Sequence, residues 1–200
     1  VLNNKSKTYD ALSKCGINTA EWHLIESKKH LIEKLNYYYE EYGGAVIKPT
    51  LDRGARNIFI ISKNKNKHID NQNITNFNKV KDFLPILKKH NFIGNFLIMQ
   101  ELYYPVVDID LFAWEGKPLS IVPRKRNHPL LPNMGHKILN DKVLINLGKK
   151  IVTEFNLSWL YDCDVMFDKN KQPIVIEINP RQSGSVAVSL AAGHKIYENL

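Results

Sequence analysis

The segment Trp159–Arg181 (WLYDCDVMFDKNKQPIVIEINPR) constrains the chain more than any other part of it. Two stretches of β-branched and aromatic residues flank the polar run Lys169–Gln172, the pattern of two antiparallel strands joined by a turn. Side chains alternate between faces along a strand. Trp159, Tyr161, Cys163, Val165 and Phe167 therefore share one face of the first strand, with Leu160, Asp162, Asp164 and Met166 on the other. In the second strand Ile174, Ile176 and Ile178 form an apolar face, leaving Val175, Glu177 and Asn179 opposite. A four-residue turn at Lys169–Gln172 pairs Asp168 with Pro173, which sets Asp164 against Glu177 and Asp162 against Asn179. Like charges directly opposite across a sheet repel. A half-buried carboxylate pair must share a proton or hold a cation. Asp164, Glu177 and the Asn179 carbonyl are hard oxygen donors of the type Mg2+ accepts. Arg181, two residues further on, could reach a phosphate with its guanidinium fork. The plainer alternative is a hairpin whose polar face meets only water.

The remainder reads as alternating helices and strands. A helix is expected over Lys5–Lys14, stopped by Gly16, and a second from a cap at Ser27 to about Tyr42, broken by Gly43-Gly44. Strands Ala45–Pro49 and Asn57–Ile61 flank the polar loop Thr50–Arg56, and an Asn/Lys-rich surface loop fills Ser62–Asn78. A helix over Lys79–Lys89 precedes the apolar strand Phe96–Glu101. Val106–Trp114 and Leu119–Pro123 form a hairpin through Glu115-Gly116-Lys117. Arg124–Lys137 shows no periodicity and reads as a basic loop. The helix Asp141–Phe155, the strand pair above and a helix after Gly184 complete the order. A boundary is expected near Gln100.

The charge balance, 28 basic against 20 acidic residues and a net +8, fits nucleic acid, anionic lipid or a phosphate-bearing small molecule as partner. Many lysines sit in the Asn-rich loop, and no nucleic-acid motif is present, so a basic nucleic-acid-binding protein rests on net charge alone. No apolar run is long enough for a membrane span, and the opening VLNNKSKTYD has no secretion-signal core. The start at Val1 suggests a fragment. Cys15 and Cys163 show no metal or redox spacing and read as free thiols in a reducing cytoplasm.

The E-I-N-P-R run Glu177–Arg181, with an acidic residue thirteen positions before the glutamate, resembles the metal-binding signature of the ATP-grasp superfamily. Gln182-Ser183-Gly184, the small-residue run to Gly193 and the V-I-K-P strand extend the likeness, in order, over essentially the whole chain. The pattern is similar to the carbamoyl-phosphate synthetase large subunit and to single-domain carboxylate–amine ligases. The resemblance implies an α+β ATP-grasp fold, two α/β lobes with mainly antiparallel sheets clasping ATP between them. Residues 1–20 would be a leading helix on the C-terminal lobe, 21–99 the lid subdomain and 100–200 the C-terminal subdomain with the metal site. An N-terminal domain would precede the chain.

By the same resemblance, Asp164, Glu177 and Asn179 bind Mg2+ (or Mn2+), while Lys5 and Lys48 contact ATP phosphates. Arg53, Gly54, Ala55 and Arg56 belong to the lid loop, with Asn57 standing where a second glycine is usual. Asn57 would stiffen that loop, since asparagine tolerates left-handed φ better than most residues. Gln100, Glu101, Leu102 and Tyr103 line the adenine, and Asp108 or Asp110 meets the ribose. Arg124 or Arg126 meets phosphate or acyl phosphate. His136 lies by the nucleotide, and Lys48, Arg124 and Arg181 act in catalysis. For Lys5 and His136 an incidental surface role is the alternative. The implied activity joins a small carboxylate to an amine through an acyl phosphate, in the cytoplasm, with a homodimer as one arrangement and neither nucleic acid nor membrane as partner. A nucleotide-binding module without turnover is the rival within the fold.

Overall fold

The computed structural model describes residues 2, 4–51, 56–64, 74–129 and 134–194. The chain divides into two compact units, one formed by Ala20–Glu101 and the other by Val1–Thr19 together with Leu102–Leu200. The outer unit begins with α1 (Lys5–Lys14). The inner unit then runs through β1 (Trp22–Leu24), α2 (Lys28–Glu41), β2 (Gly44–Pro49), β3 (Ile58–Ser62), β4 (Ile74–Phe77), α3 (Val80–Phe83), α4 (Ile86–Lys89) and β5 (Phe96–Gln100). The outer unit resumes with β6 (Tyr103–Trp114), β7 (Lys117–Arg126), β8 (His136–Ile138) and α5 (Lys142–Glu154). It continues through β9 (Trp159–Phe167) and β10 (Pro173–Asn179) to α6 (Ala187–Ala191). No helix among the described residues is long and apolar enough to cross a membrane.

The inner unit is a sheet of order β1-β5-β2-β3-β4, antiparallel except where β4 joins β3. Ser27 caps α2, its hydroxyl accepting from the His30 amide at 3.0 Å. Leu31, Leu35 and Tyr38 from α2 pack with Ala45, Ile47, Phe59, Ile61 and Ile98 from the sheet. Alternation places Val46 and Lys48 on the other face, in register with Met99 and Leu97. The helix expected over Lys79–Lys89 is two short ones, because Pro85 has no amide to continue the first. The strands β1 and β4 are additions to the sequence reading. Each is four residues or fewer, and β4 (ITNF) lies inside the stretch read as a polar loop.

The outer unit is an antiparallel sheet of order β10-β9-β6-β7-β8. Arg124–Arg126, expected in a loop, belongs to β7, which is paired with β6 on one side and β8 on the other. Acidic neighbours on β6 allow these charged residues to lie within a sheet. Asp141 caps α5, its carboxylate accepting from the Val143 and Leu144 amides at 2.8 and 3.2 Å. Gly148 brings α5 close to the apolar face of the sheet. A Cβ there would stand 2.6 Å from Ile121 Cγ2 and 3.0 Å from Leu111 Cδ2.

The β9–β10 turn is one residue longer than expected. The Asp168 carboxylate accepts from the Asn170 and Gln172 amides, and the Asp168 amide donates to the Gln172 carbonyl. Pro173 consequently pairs with Phe167 and not with Asp168. A register shift between Val175 and Glu177 then absorbs Ile176 as an extra residue, so that Glu177 faces Asp164 and Asn179 faces Asp162. The bulged Ile176 carbonyl accepts from the Tyr9 hydroxyl at 2.7 Å, which fastens α1 to β10.

Gly148→Ala tests the close approach of α5. Helix propensity alone favours alanine by about 1 kcal/mol, but overpacking a core costs about 1–3 kcal/mol. The branched Ile121 methyl cannot swing away freely, so the expected outcome is a lower urea midpoint with an unchanged denaturant slope.

Candidate functional site

Two adjacent strands carry four aspartates on one face of the outer sheet. In register, Asp108 on β6 stands opposite Asp164 on β9, and Asp110 stands opposite Asp162. Two arginines on β7 meet them diagonally. Arg124 Nη2 donates to Asp110 Oδ1 at 2.8 Å, and its Nη1 donates to the Ser185 hydroxyl at 2.8 Å. Arg126 Nε donates to both Asp108 oxygens at 2.9 and 3.0 Å, while its Nη2 bridges Asp108 and Asp164 Oδ1, the latter at 3.0 Å. His136 Nε2 lies 2.8 Å from Asp108 Oδ2, and the Ser189 hydroxyl donates to Asp110 Oδ2 at 2.5 Å.

The four acids are thus not equivalent. Asp110 is neutralised by Arg124 and closed by Ser189. Asp108, Asp162 and Asp164 each offer an oxygen within 4.8 Å of the others, a set that could hold a metal ion. Asp162 is 5% exposed, and its Oδ1 is buried with no hydrogen-bond partner among the described residues. Its Oδ2 lies 3.7 Å from Arg181 Nη1, on a side chain that is largely exposed. Burial, then the charges of Asp108 and Asp110, push the Asp162 carboxyl up to about 7. Burial and the Asp162 charge also raise Asp164 well above the usual carboxylate range. For Asp108 burial opposes ionisation, but the bonds and charge of Arg126 outweigh it and hold the group low. A buried acidic oxygen without a donor is costly. A hard divalent cation is the chemistry that such oxygens accept.

The expected ligands are unequally partnered. Glu177 does face Asp164 across the ladder, but its Oε1 lies 3.1 Å from Lys5 Nζ. The helix α1 supplies the countercharge that the hairpin alone lacks. Asp162 is the member left with an unpartnered oxygen, and Asn179 is half-buried opposite it. Arg124 is fully buried among Asp110 and Ser185, so it presents no surface to a phosphate. Asp110, its partner, is closed in the same way to a ribose. Asp108 belongs to the acidic cluster, and the buried His136 side chain is tied to it. Asp162 completes the cluster and stands outside the expected ligand set, two residues from Asp164 on the same strand face. Arg126, expected at phosphate or acyl phosphate, pairs here with Asp108 and Asp164.

In the inner unit Lys48 is buried on the face that carries Val46, Leu97 and Met99. The Gln100 side-chain oxygen accepts from the Glu21 amide at 3.2 Å. The buried Glu101 carboxylate accepts from the Ser62 hydroxyl at 2.7 Å, and a Cβ on Gly44 would stand 2.2 Å from it. Leu102 is buried and Tyr103 exposed at the start of the outer unit. Arg53, Gly54 and Ala55 lie outside the described residues, while Arg56 is exposed. Asn57 follows with φ at 52°, the left-handed conformation that asparagine accepts.

Residues 93–199, more than half of the chain, match the family described as ATP-grasp in the biosynthetic pathway with Ter operon. The chain is an ATP-grasp protein. Its α+β fold, with two mostly antiparallel sheets, is that of solved ATP-grasp structures. N5-carboxyaminoimidazole ribonucleotide synthetase from Thermotoga maritima superposes with a TM-score of 0.64 at 14% identity, over 95% of this chain and 45% of that one. The D-alanine-D-alanine ligase from Coxiella burnetii gives 0.64 at 13% identity, over 90% and 48%. An L-amino acid ligase from Bacillus licheniformis gives 0.60 at 16% identity, over 94% and 42%. The ATP-grasp chain spans about half the length of these structures. None of the curated protein sequences matches it.

The raised Asp162 and Asp164 carboxyls both shape the pH response of the cation-free ATP-grasp chain. The folded Asp162 value of about 7 lies above the unfolded value of about 3.9, so the native state holds the extra proton between them. This contribution to stability is complete below about pH 4 and is lost as the pH rises through about 7. The low Asp108 value acts in the opposite sense but below that window. Thermal melts in chelator should show a falling midpoint across the window, and excess Mg2+ should flatten the fall.

Proposed function

We propose that this ATP-grasp chain is the nucleotide-binding and catalytic part of a Mg2+-ATP-dependent ligase that phosphorylates a small carboxylate for attack by an amine. The observation that carries the reading is the cluster of Asp108, Asp162 and Asp164 with the buried, unpartnered Asp162 Oδ1. The fold supports it: D-alanine-D-alanine ligase and L-amino acid ligase share it, and the Bacillus anthracis D-alanine–D-alanine ligase was solved with ATP. The E-I-N-P-R run favours a carbamoyl-phosphate-synthetase-like member within that class.

Asp108, Asp162 and Asp164 would hold Mg2+, which when bound neutralises phosphate charge and favours phosphoryl transfer. The chain's own cations do the rest of the electrostatic work. Lys48, fixed on β2 among apolar neighbours, offsets phosphate charge from a rigid strand position. Lys5 holds Glu177 in place on β10, the edge strand of the outer sheet. Arg181 is exposed at the end of β10, and its planar fork suits a phosphoryl or carboxylate oxygen pair. A carboxylate oxygen displaces ADP from the γ-phosphorus, and the amine then displaces phosphate from the acyl phosphate, leaving an amide and a proton. No nucleophilic side chain is needed. The enzyme acts in the cytoplasm on small molecules, without nucleic acid or membrane.

Calorimetric titration with MgATP checks the assignment. Lys48→Ala and Asp162→Asn should each weaken binding about tenfold or more, about 1.4 kcal/mol, with an unchanged circular dichroism spectrum. Wild-type affinity in both variants rejects the reading, and ADP release with paired carboxylates and amines identifies the substrates.

A further inference from the structure

The Arg126 guanidinium already stands where a cation would. Its Nε meets both Asp108 oxygens, its Nη2 joins Asp108 to Asp164, and its Nη1 donates to the Pro129 carbonyl at 3.2 Å. With His136 Nε2 on Oδ2, the two Asp108 oxygens accept two contacts each, which fills the lone-pair positions of a carboxylate. A divalent ion can bond Asp108 only if one of these donors leaves.

The two donors differ in freedom. The His136 side chain has no exposure and sits within β8. Arg126 is the last residue of β7, and its side chain keeps 17% of its surface. Arg124, one alternation earlier, is the contrast: it is fully buried, and Ser185 and Asp110 hold it away from the three-acid cluster. Arg126 is the member that can leave.

We infer that Arg126 is a built-in counter-ion which occupies the metal position on Asp108 and Asp164 and is exchanged for the divalent cation when the site loads. This rests on the metal reading of Asp108, Asp162 and Asp164 given above. The exchange lowers the affinity of the empty protein for metal, because the incoming ion must break charge-assisted hydrogen bonds before it gains its own. It also stabilises the unloaded protein, since the buried Asp108 carboxylate keeps a countercharge when no metal is bound. Once displaced, a guanidinium on a long side chain beside the cluster is available to the anion that arrives with the metal.

Mn2+ titration of the nucleotide-free protein, followed by electron paramagnetic resonance, tests this with wild type, Arg126→Gln, Arg126→Lys and Asp162→Asn. Arg126→Gln should bind Mn2+ about tenfold or more tightly than wild type, while melting lower in chelator and gaining more from added Mn2+. Arg126→Lys, whose single ammonium cannot bridge both carboxylates, should fall between them and covers the case in which the glutamine variant fails to fold. An arginine that merely positions the acids predicts the reverse, so unchanged or weaker Mn2+ binding in the arginine variants overturns the exchange. If wild type binds Mn2+ and Asp162→Asn does not, the metal site stands whichever way Arg126 turns out. If neither wild type nor any variant binds Mn2+, the metal reading fails and the exchange fails with it.

Discussion

The outer unit is organised around a repulsion. Setting Asp108 against Asp164 and Asp110 against Asp162 concentrates four carboxylates on the face of a sheet, where water screens them poorly. Arg124 and Arg126 on β7 relieve part of this, and their alternation explains how a basic run can be a strand. The opposite face of the same strands is ordinary core: Ile109 and Leu111 lie against α5 at Gly148. One alternating pattern thus produces a packed side and a reactive side on opposite faces of the same strands.

Partnering within the four is uneven, and the unevenness separates scaffold from chemistry. Asp110 has a buried arginine and a serine hydroxyl, and it has no remaining need. Asp162 has one distant, exposed arginine and one oxygen with nothing. A residue type that is the same in sequence therefore takes two roles, decided by what the neighbouring strand and α6 supply.

Much of this was legible in the sequence. The hairpin, its facing pair at Asp164 and Glu177 and the helix α2 capped at Ser27 follow from alternation and capping chemistry. The facing pair was reached through a turn that was one residue too short, and the bulge at Ile176 restored the register. Bulges leave little mark in a single sequence, since Ile176 resembles its neighbours. The countercharge on Glu177 could not be read either, because Lys5 and Glu177 are 172 positions apart and meet only through the fold. The alternation of Arg124 and Arg126 was visible, but net basicity and nearby prolines obscured it as a strand signal.

The contact between Tyr9 and the bulged carbonyl of Ile176 also bears on how the chain is made. The inner unit is contiguous in sequence, so it can condense as soon as residue 101 has been synthesised. The outer unit is split around it: α1 precedes the inner unit in sequence, and the strand it grips follows it. Until β10 has been made, α1 lacks the carbonyl that its Tyr9 hydroxyl meets in the folded chain. The outer sheet is therefore completed only when segments from either side of the inner unit are brought together, and a nascent chain released before β10 would hold the acids of β6 and β9 without the contact that fastens α1 to their sheet.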